Sequence, residues 1–453
     1  MTSEAETTKL SVSGPVTGGR HGWPFAASLD DLGAVGYVEE EYFLAGEATT
    51  YVPAAPFDER GIWDAEPAGT APFVTRLLVQ RPREASRFNG TVVVGWNNVT
   101  AGYELLADLP ILLEEGYAYV CASVQAVGVE GVGAEPHGLL HWDPERYGSL
   151  HHPGDRYSYG IFTAAARAVG PQRSDGVDPL GGLAVERVVA LGASQSAARL
   201  ATYINAVQPA IGAFDGFLVL IHFGNGAAID DDAVFDANAA RPAPVFRTRT
   251  RLRDDLDAPI MLVNSETETL AYFSSRQPDT ERFRFWEVAG AAHVSAPQLV
   301  RRQAKCERDG VPMRPSPNPP SQISYIPAAS AALGHLQRWM TGGLPPPAQP
   351  LIEVSGDPPE IGRDGHANAL GGVRMPGVEV PVAHNTGVSP VQGLGGLGGA
   401  HEPFPREQLL ALYGDREQYL ARFSAAAVAA VGAGVLRASE ADALIDEAGS
   451  AFF

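Results

Sequence analysis

Val188-Val189-Ala190-Leu191-Gly192-Ala193-Ser194-Gln195-Ser196-Ala197-Ala198 is a β-branched apolar run that ends in a Gly-x-Ser-x-small turn and passes straight into helix-forming residues. This is the layout of a nucleophile elbow, in which a serine is held exposed on a sharp strand-to-helix turn. Strand, turn and helix approach closely there, so the flanking positions must be small. Gly192 meets that demand, and Ser196 stands where a second glycine is usual. Small-residue turns after strands are common, so the motif calls for partners elsewhere in the chain.

A serine hydroxyl is a poor nucleophile unless a base removes its proton as it attacks. An elbow therefore predicts an acid and then a histidine on later strand ends. The strand Ile260-Met261-Leu262-Val263 runs into Asn264-Ser265-Glu266-Thr267-Glu268. The next, Phe283-Arg284-Phe285-Trp286-Glu287-Val288, runs into Ala289-Gly290-Ala291-Ala292-His293. The order Ser, acid, His differs from the chymotrypsin and subtilisin orders and is that of α/β-hydrolases. His293 is read as the general base, with small neighbours that permit a tight loop. Glu268 and Glu266 are both candidate acids; Glu268 is favoured by its spacing from Ser265, and Glu266 lies nearer the strand end. For the oxyanion, elbow geometry offers the backbone N–H of Gln195, and the loop after Thr91–Trp96 offers the amide of Asn97 or Asn98. The plain alternative for Asn97-Asn98 is a simple turn.

Outward from the elbow, strand patterns alternate with helical ones. Gly36–Leu44 and Phe73–Val79 read as strands, followed by Thr91–Trp96, a helix over Tyr103–Glu115 and a strand over Tyr119–Val124. A helix near Tyr157–Val169 precedes the elbow strand, and the elbow helix runs to about Val207, with Pro209 closing it. Further strands are expected at Gly216–Ile221, Pro259–Val263 and Phe283–Val288, and a helix at Ala328–Met340. This alternation implies a mainly parallel sheet with an antiparallel edge, bearing ligands beyond the carboxyl ends of its strands.

The expected organisation is a disordered lead over residues 1–19, a core with cap insertions over 20–342, and an extension over 343–453. Within that extension Gly342–Ala400 is dense in Gly and Pro and reads as a linker or a lid. Arg406–Phe423 and Ser424–Ala448 read as helices that dock on the body or on a second subunit in a homo-oligomer.

Composition narrows the function. A formal charge of −20 over 453 residues disfavours nucleic acid and anionic membranes, which need clustered cations. No apolar stretch approaches the roughly 18 residues of a membrane span. Met1–Gly19 lacks a basic n-region and an apolar h-region, so a cytoplasmic location is expected. Two cysteines are too few for a disulfide framework, and no Cys/His spacing suggests a metal site.

With these residues in hand the chain resembles a large bacterial α/β-hydrolase-domain family of serine carboxylesterases with a long C-terminal extension. The resemblance rests on Arg76–Pro82, Gly95–Val99, Trp142–Gly148, Gly192–Ser196, Ser265–Glu268, Trp286–His293 and Gly365–Arg374. It implies an α/β-hydrolase fold, carboxylester hydrolysis and a Ser/acid/His triad at the positions named.

Four further residues are candidates for lining the substrate site. Tyr147 and His222 follow strand ends, and Asn368 and Arg374 lie in the lid segment; for the histidines, including His137 and His141, surface or structural roles are the simpler reading. The function expected is hydrolysis of a small or medium neutral ester through an acyl-enzyme, with no metal or organic cofactor. The alternatives are acyl transfer through the same intermediate, or a non-catalytic hydrolase-like binding protein.

Overall fold

The computed structural model describes residues 10–174, 176–232, 246–391 and 393–450, with side chains omitted at 246–248. The chain packs as two compact units, Met1–Phe217 with Asn225–Ala258, and Leu218–Gly224 with Pro259–Phe453.

In the first unit, strands β1 (Ser11–Ser13), β2 (Tyr37–Pro53), β3 (Ala65–Pro82), β4 (Thr91–Trp96), β5 (Ala118–Ala122) and β6 (Arg187–Ala193) lie in the order β1-β2-β3-β5-β4-β6. β1, β2 and β3 are antiparallel, and β3 meets β5 antiparallel. β4 runs parallel to both β5 and β6. Thr-Val-Val-Val-Gly-Trp and Ala-Tyr-Val-Cys-Ala are buried at every position, as expected of parallel strands covered on both faces. Helix α1 (Ser158–Val169) is buried at all but one residue, and α2 (Gln195–Thr202) follows β6 directly.

Three local expectations are corrected in this unit. Residues 1–9 lie outside the described residues, but Ser11–Ser13 pairs with Phe43–Ala45, and the Arg146 guanidinium holds the Val16 and Gly18 carbonyls; the lead-in is ordered from there. The helix expected over Tyr103–Glu115 is a single turn, Ile111–Glu114: Leu105 is held in a bridge to Asn98 by backbone hydrogen bonds of 3.0 and 2.7 Å, and Pro110, which disfavours helix before it, caps the turn. The elbow helix gives way to a π turn over Tyr203–Val207. Pro209 then sits in the first turn of Gln208–Ile211, where its missing N–H is harmless, so it opens a turn and does not close the helix.

A buried ionic cluster supports this sheet. Glu41 meets Arg76 at 2.7 Å and Arg146 at 2.5 Å, and Arg76 also meets Glu104 at 3.0 Å. Burial pushes the Glu104 carboxyl above its ordinary range, against the lowering effect of Arg76. Two cations and two carboxylates balance, which is what makes such groups tolerable away from water.

Close by, His152 is buried with both ring nitrogens used: Nε2 lies 3.0 Å from the Val124 carbonyl and Nδ1 accepts from Gly154 N–H at 3.2 Å. Only the neutral Nε2–H tautomer satisfies both. Burial lowers its pKa, against raising contributions from Asp155 and Glu130. An unfolded histidine titrates near about 6.5. Below that pH the unfolded chain takes the proton first, so His152 stabilises the fold above about 6.5 and loses that effect as pH falls through its folded value. Melting curves should therefore drop more steeply below pH about 6.5 in wild type than in His152→Gln; parallel curves would refute this.

In the second unit, β8 (Ile260–Ser265) and β9 (Phe283–Val288) pair in parallel from Ile260↔Phe283 to Ser265↔Val288. Strand β7 (Gly216–Leu220) crosses the unit boundary in sequence, and just beyond it Ile221 N–H donates to Val263 O at 2.8 Å. Helices α3 (Ala296–Asp309) and α4 (Ile326–Met340) follow. The Gly/Pro-rich stretch is packed here and is not a free linker. Val373 exchanges backbone hydrogen bonds with Glu287 and Ala289 at 2.6 and 3.0 Å, and Trp286 Nε1 donates to the Pro347 carbonyl at 2.9 Å.

The chain ends in three helices, not two: α5 (Arg406–Tyr413), α6 (Arg416–Gly432) and α7 (Ala438–Ser450). Gly414, at φ 76°, stops the first, and Asp415 caps the second by accepting from Gln418 N–H at 2.8 Å. They pack on Val380 through Leu409, Tyr413, Tyr419 and Phe423. Among the described residues no helix is long and apolar enough to cross a membrane.

Candidate active site

The serine sits where β6 turns into α2, with φ 61° and ψ −118°. A side chain held at positive φ costs on the order of 1–3 kcal/mol and persists only where its surroundings enforce it. Gly192 is part of that enforcement: a Cβ there would lie 2.8 Å from the Ser196 carbonyl oxygen and 3.0 Å from Leu200 Cβ. Ser196 explains itself. Its hydroxyl donates to Ala193 O at 2.9 Å and accepts from Ala193 N–H at 3.2 Å, closing the turn that a glycine would otherwise only permit. Asn98 Nδ2 adds a bond to the same Ala193 carbonyl at 3.0 Å. The helix is anchored by Arg199, which is buried, ion-paired with Asp155 and bonded to the Ala228 carbonyl at 3.1 Å.

The Gln195 amide opens α2, so no carbonyl within the helix accepts from it. The two asparagine amides differ. Asn98 N–H is committed to Leu105 O at 3.0 Å, whereas Asn97 N–H has only a long 3.4 Å approach to Ala122 O. Asn97 is the better placed of the pair to donate to a ligand.

The histidine and the carboxylates belong to the second unit. β8 ends in a 3-10 turn, Glu266–Glu268, whose capping box ties Glu268 back to Ser265. Glu268 Oε2 accepts from Ser265 N–H at 2.9 Å and from its hydroxyl at 2.6 Å. Its other oxygen lies 2.6 Å from His293 Nδ1. The imidazole is 4% exposed, its backbone N–H is held by Thr267 Oγ1 at 2.9 Å, and the half-buried Phe223 ring stacks on it at 5.3 Å. A carboxylate at Nδ1 holds the proton there and leaves Nε2 as the basic nitrogen.

Glu266 uses its oxygens elsewhere. Oε1 meets Arg363 at 2.8 Å and the Thr386 hydroxyl at 2.6 Å, and Oε2 accepts from Gly290 N–H at 2.7 Å. It ties the histidine loop to the C-terminal segment. Gly290, at φ 70°, makes the tight turn that this loop needs.

The residues expected to line a substrate site are held as follows. Tyr147 is in the core, its hydroxyl on Glu41 at 2.8 Å and accepting from Phe25 N–H at 3.0 Å. Arg374 braces its own loop through Asp364 and Glu379, and Asn368 Oδ1 accepts from Asn385 N–H at 3.0 Å. His222 is buried with its backbone clamped on both sides by the Asn264 side chain, at 2.7 and 3.0 Å, and its ring edge-on to Tyr272. His137 is half-buried and His141 exposed. Among the described residues no three His, Cys, Asp or Glu side chains gather as a metal site. Phe223 was not singled out from sequence, and Ser265 served there only to locate Glu268, although the Ser265-x-x-Glu268 spacing of a capping box was readable.

The model of the alpha/beta hydrolase domain family matches residues 12–446. The chain belongs to this family. The α/β-hydrolase fold expected from the Ser, acid, His order is thus borne out across nearly the whole chain. Solved structures similar to this α/β-hydrolase include the esterase Est22, at 11% identity over 61% of this chain and 80% of that one, with a TM-score of 0.30. The serine hydrolase XC6422 from Xanthomonas campestris matches at 11% identity over 59% and 97%, with a TM-score of 0.30. A bacterial brefeldin A esterase matches at 16% identity over 39% of this chain and 40% of that one, with a TM-score of 0.21, so the chain spans well under half of that enzyme's length. No curated protein matched the chain.

Proposed function

We propose that this α/β-hydrolase is a serine esterase acting on neutral carboxylic esters of small or medium size. The observation that carries the reading is the buried His293–Glu268 pair at 2.6 Å, with the carboxylate's second oxygen fixed by Ser265. A histidine held only for packing does not require a carboxylate restrained in that way. In the proposed reaction Ser194 Oγ attacks the ester carbonyl carbon while its proton passes to His293 Nε2. The amides of Gln195 and Asn97 receive the oxyanion, and Glu268 stabilises the imidazolium. Collapse expels the alcohol, which takes the proton from His293. Water then repeats the sequence on the acyl-enzyme and releases the acid. The strong negative charge disfavours highly anionic substrates.

A fluorophosphonate probe tests this directly. Wild type is expected to label and Ser194→Ala is not. Equal labelling of the two would reject Ser194 as the nucleophile.

A further inference from the structure

We infer that Gln125 is a positioning residue for the oxyanion hole, holding together the two chain segments that supply its amides. The inference rests on the esterase reading above and extends it to a residue that does not touch the reacting atoms.

Gln125 lies just past β5, where the chain enters the turn Ala126–Glu130. Its side-chain nitrogen carries two protons, and both are used. One goes to the Asn97 carbonyl at 3.1 Å and the other to Gln195 Oε1 at 3.0 Å. Its oxygen accepts from Gln195 Nε2 at 2.5 Å, so the two glutamines exchange a reciprocal pair of hydrogen bonds. Gln125, Gln195 and Asn97 are 2%, 4% and 3% exposed, which removes water as a competing partner.

The consequence is orientation at both donors. The Asn97–Asn98 peptide is held at its two ends, its carbonyl by Gln125 and its N–H by Leu105 O at 3.0 Å. That fixes the peptide after Asn97; the one before it, which carries the Asn97 N–H, continues from β4, whose Trp96 pairs with Ala122 and Gly192. Gln195 commits its side chain to Gln125 and keeps its backbone N–H for the ligand. Gln125 itself is braced, because the next residue, Ala126, donates to Asp155 at 3.1 Å, and Asp155 pairs with Arg199 of the elbow helix. An apolar pair would fill this space without fixing direction, and burying two primary amides is costly unless every bond is made. Oxyanion donors act by being aimed before charge develops.

The test uses Gln125→Met, which keeps the volume and removes the hydrogen bonds, and Gln195→Met, which breaks the same pair from the other side. Melting temperature, kcat and KM for an aryl ester, and the inhibition constant of a trifluoromethyl ketone are measured on each full-length variant. The expected result is a fall in kcat of about 10- to 100-fold with KM changed by less than about twofold. Binding of the ketone, whose adduct carries an oxyanion, should weaken by the same factor. Should Gln125→Met not fold, the same readouts on Gln195→Met decide. A folded variant with unchanged kcat, or one in which only KM rises, overturns the assignment. The esterase reading fails separately: it falls if wild-type turnover survives Ser194→Ala, and it stands if turnover depends on Ser194 whatever Gln125 does.

Discussion

On the proposed triad, His293→Ala is expected to abolish turnover of a simple aryl ester, with kcat falling by about 10⁶-fold and the circular dichroism spectrum unchanged. The size of the effect follows from the role. In the proposed reaction, without a base the Ser194 proton has nowhere to go as the carbon–oxygen bond forms, and the leaving alcohol has no acid. What remains is the contribution of substrate binding and the oxyanion donors, which is why residual catalysis above the water reaction is expected. The fold should survive. The imidazole meets Glu268 at 2.6 Å, and the bond from the backbone N–H of residue 293 to the Thr267 hydroxyl is one that alanine keeps. Steady-state kinetics with purified protein checks the result, and a kcat within about tenfold of wild type would exclude His293 as the base.

Glu268→Gln and Glu266→Gln separate by kind of effect. Glu268→Gln is expected to lower kcat by about 10⁴-fold with little change in melting temperature, because an amide no longer fixes the Nδ1–H tautomer or stabilises the imidazolium. Glu266→Gln leaves Arg363 beside a neutral group and weakens the bond from Gly290 N–H, so its effect is on stability, on the order of 1–3 kcal/mol, with a much smaller loss in kcat. Denaturant titration alongside kinetics distinguishes the two. The reverse pattern, with activity lost in Glu266→Gln and kept in Glu268→Gln, would exchange their roles.

Much of the architecture is legible in the sequence. Val188–Leu191 and Ile260–Val263 are short apolar runs bounded by small or polar residues, and such runs declare strands because burial on both faces demands it. The boundaries were less readable. Tyr103–Glu115 is rich in helix formers, yet the Asn98–Leu105 bridge holds its start and Pro110 interrupts its middle, so only Ile111–Glu114 closes a turn. Gly414-Asp415 was a readable stop and start inside an apparently continuous helix, and its φ of 76° shows why the chain breaks there.

The order of a serine, an acid and a histidine after successive strands, and with it the α/β-hydrolase fold, was written in the chain, because β-branching, small turn residues and strand spacing are local properties. Which glutamate faces His293, why Tyr147, Asn368 and Arg374 brace the scaffold, and how Gln125 links Asn97 to Gln195 depended on tertiary structure. Those outcomes turn on hydrogen-bond directions between residues distant in the chain, 25 apart for Glu268 and His293, 70 for Gln125 and Gln195 and 106 for Tyr147 and Glu41. Such bonds work only within a few tenths of an ångström and a narrow range of angles. Two carboxylates two residues apart in a 3-10 turn point different ways, and nothing in their neighbours' identities says which.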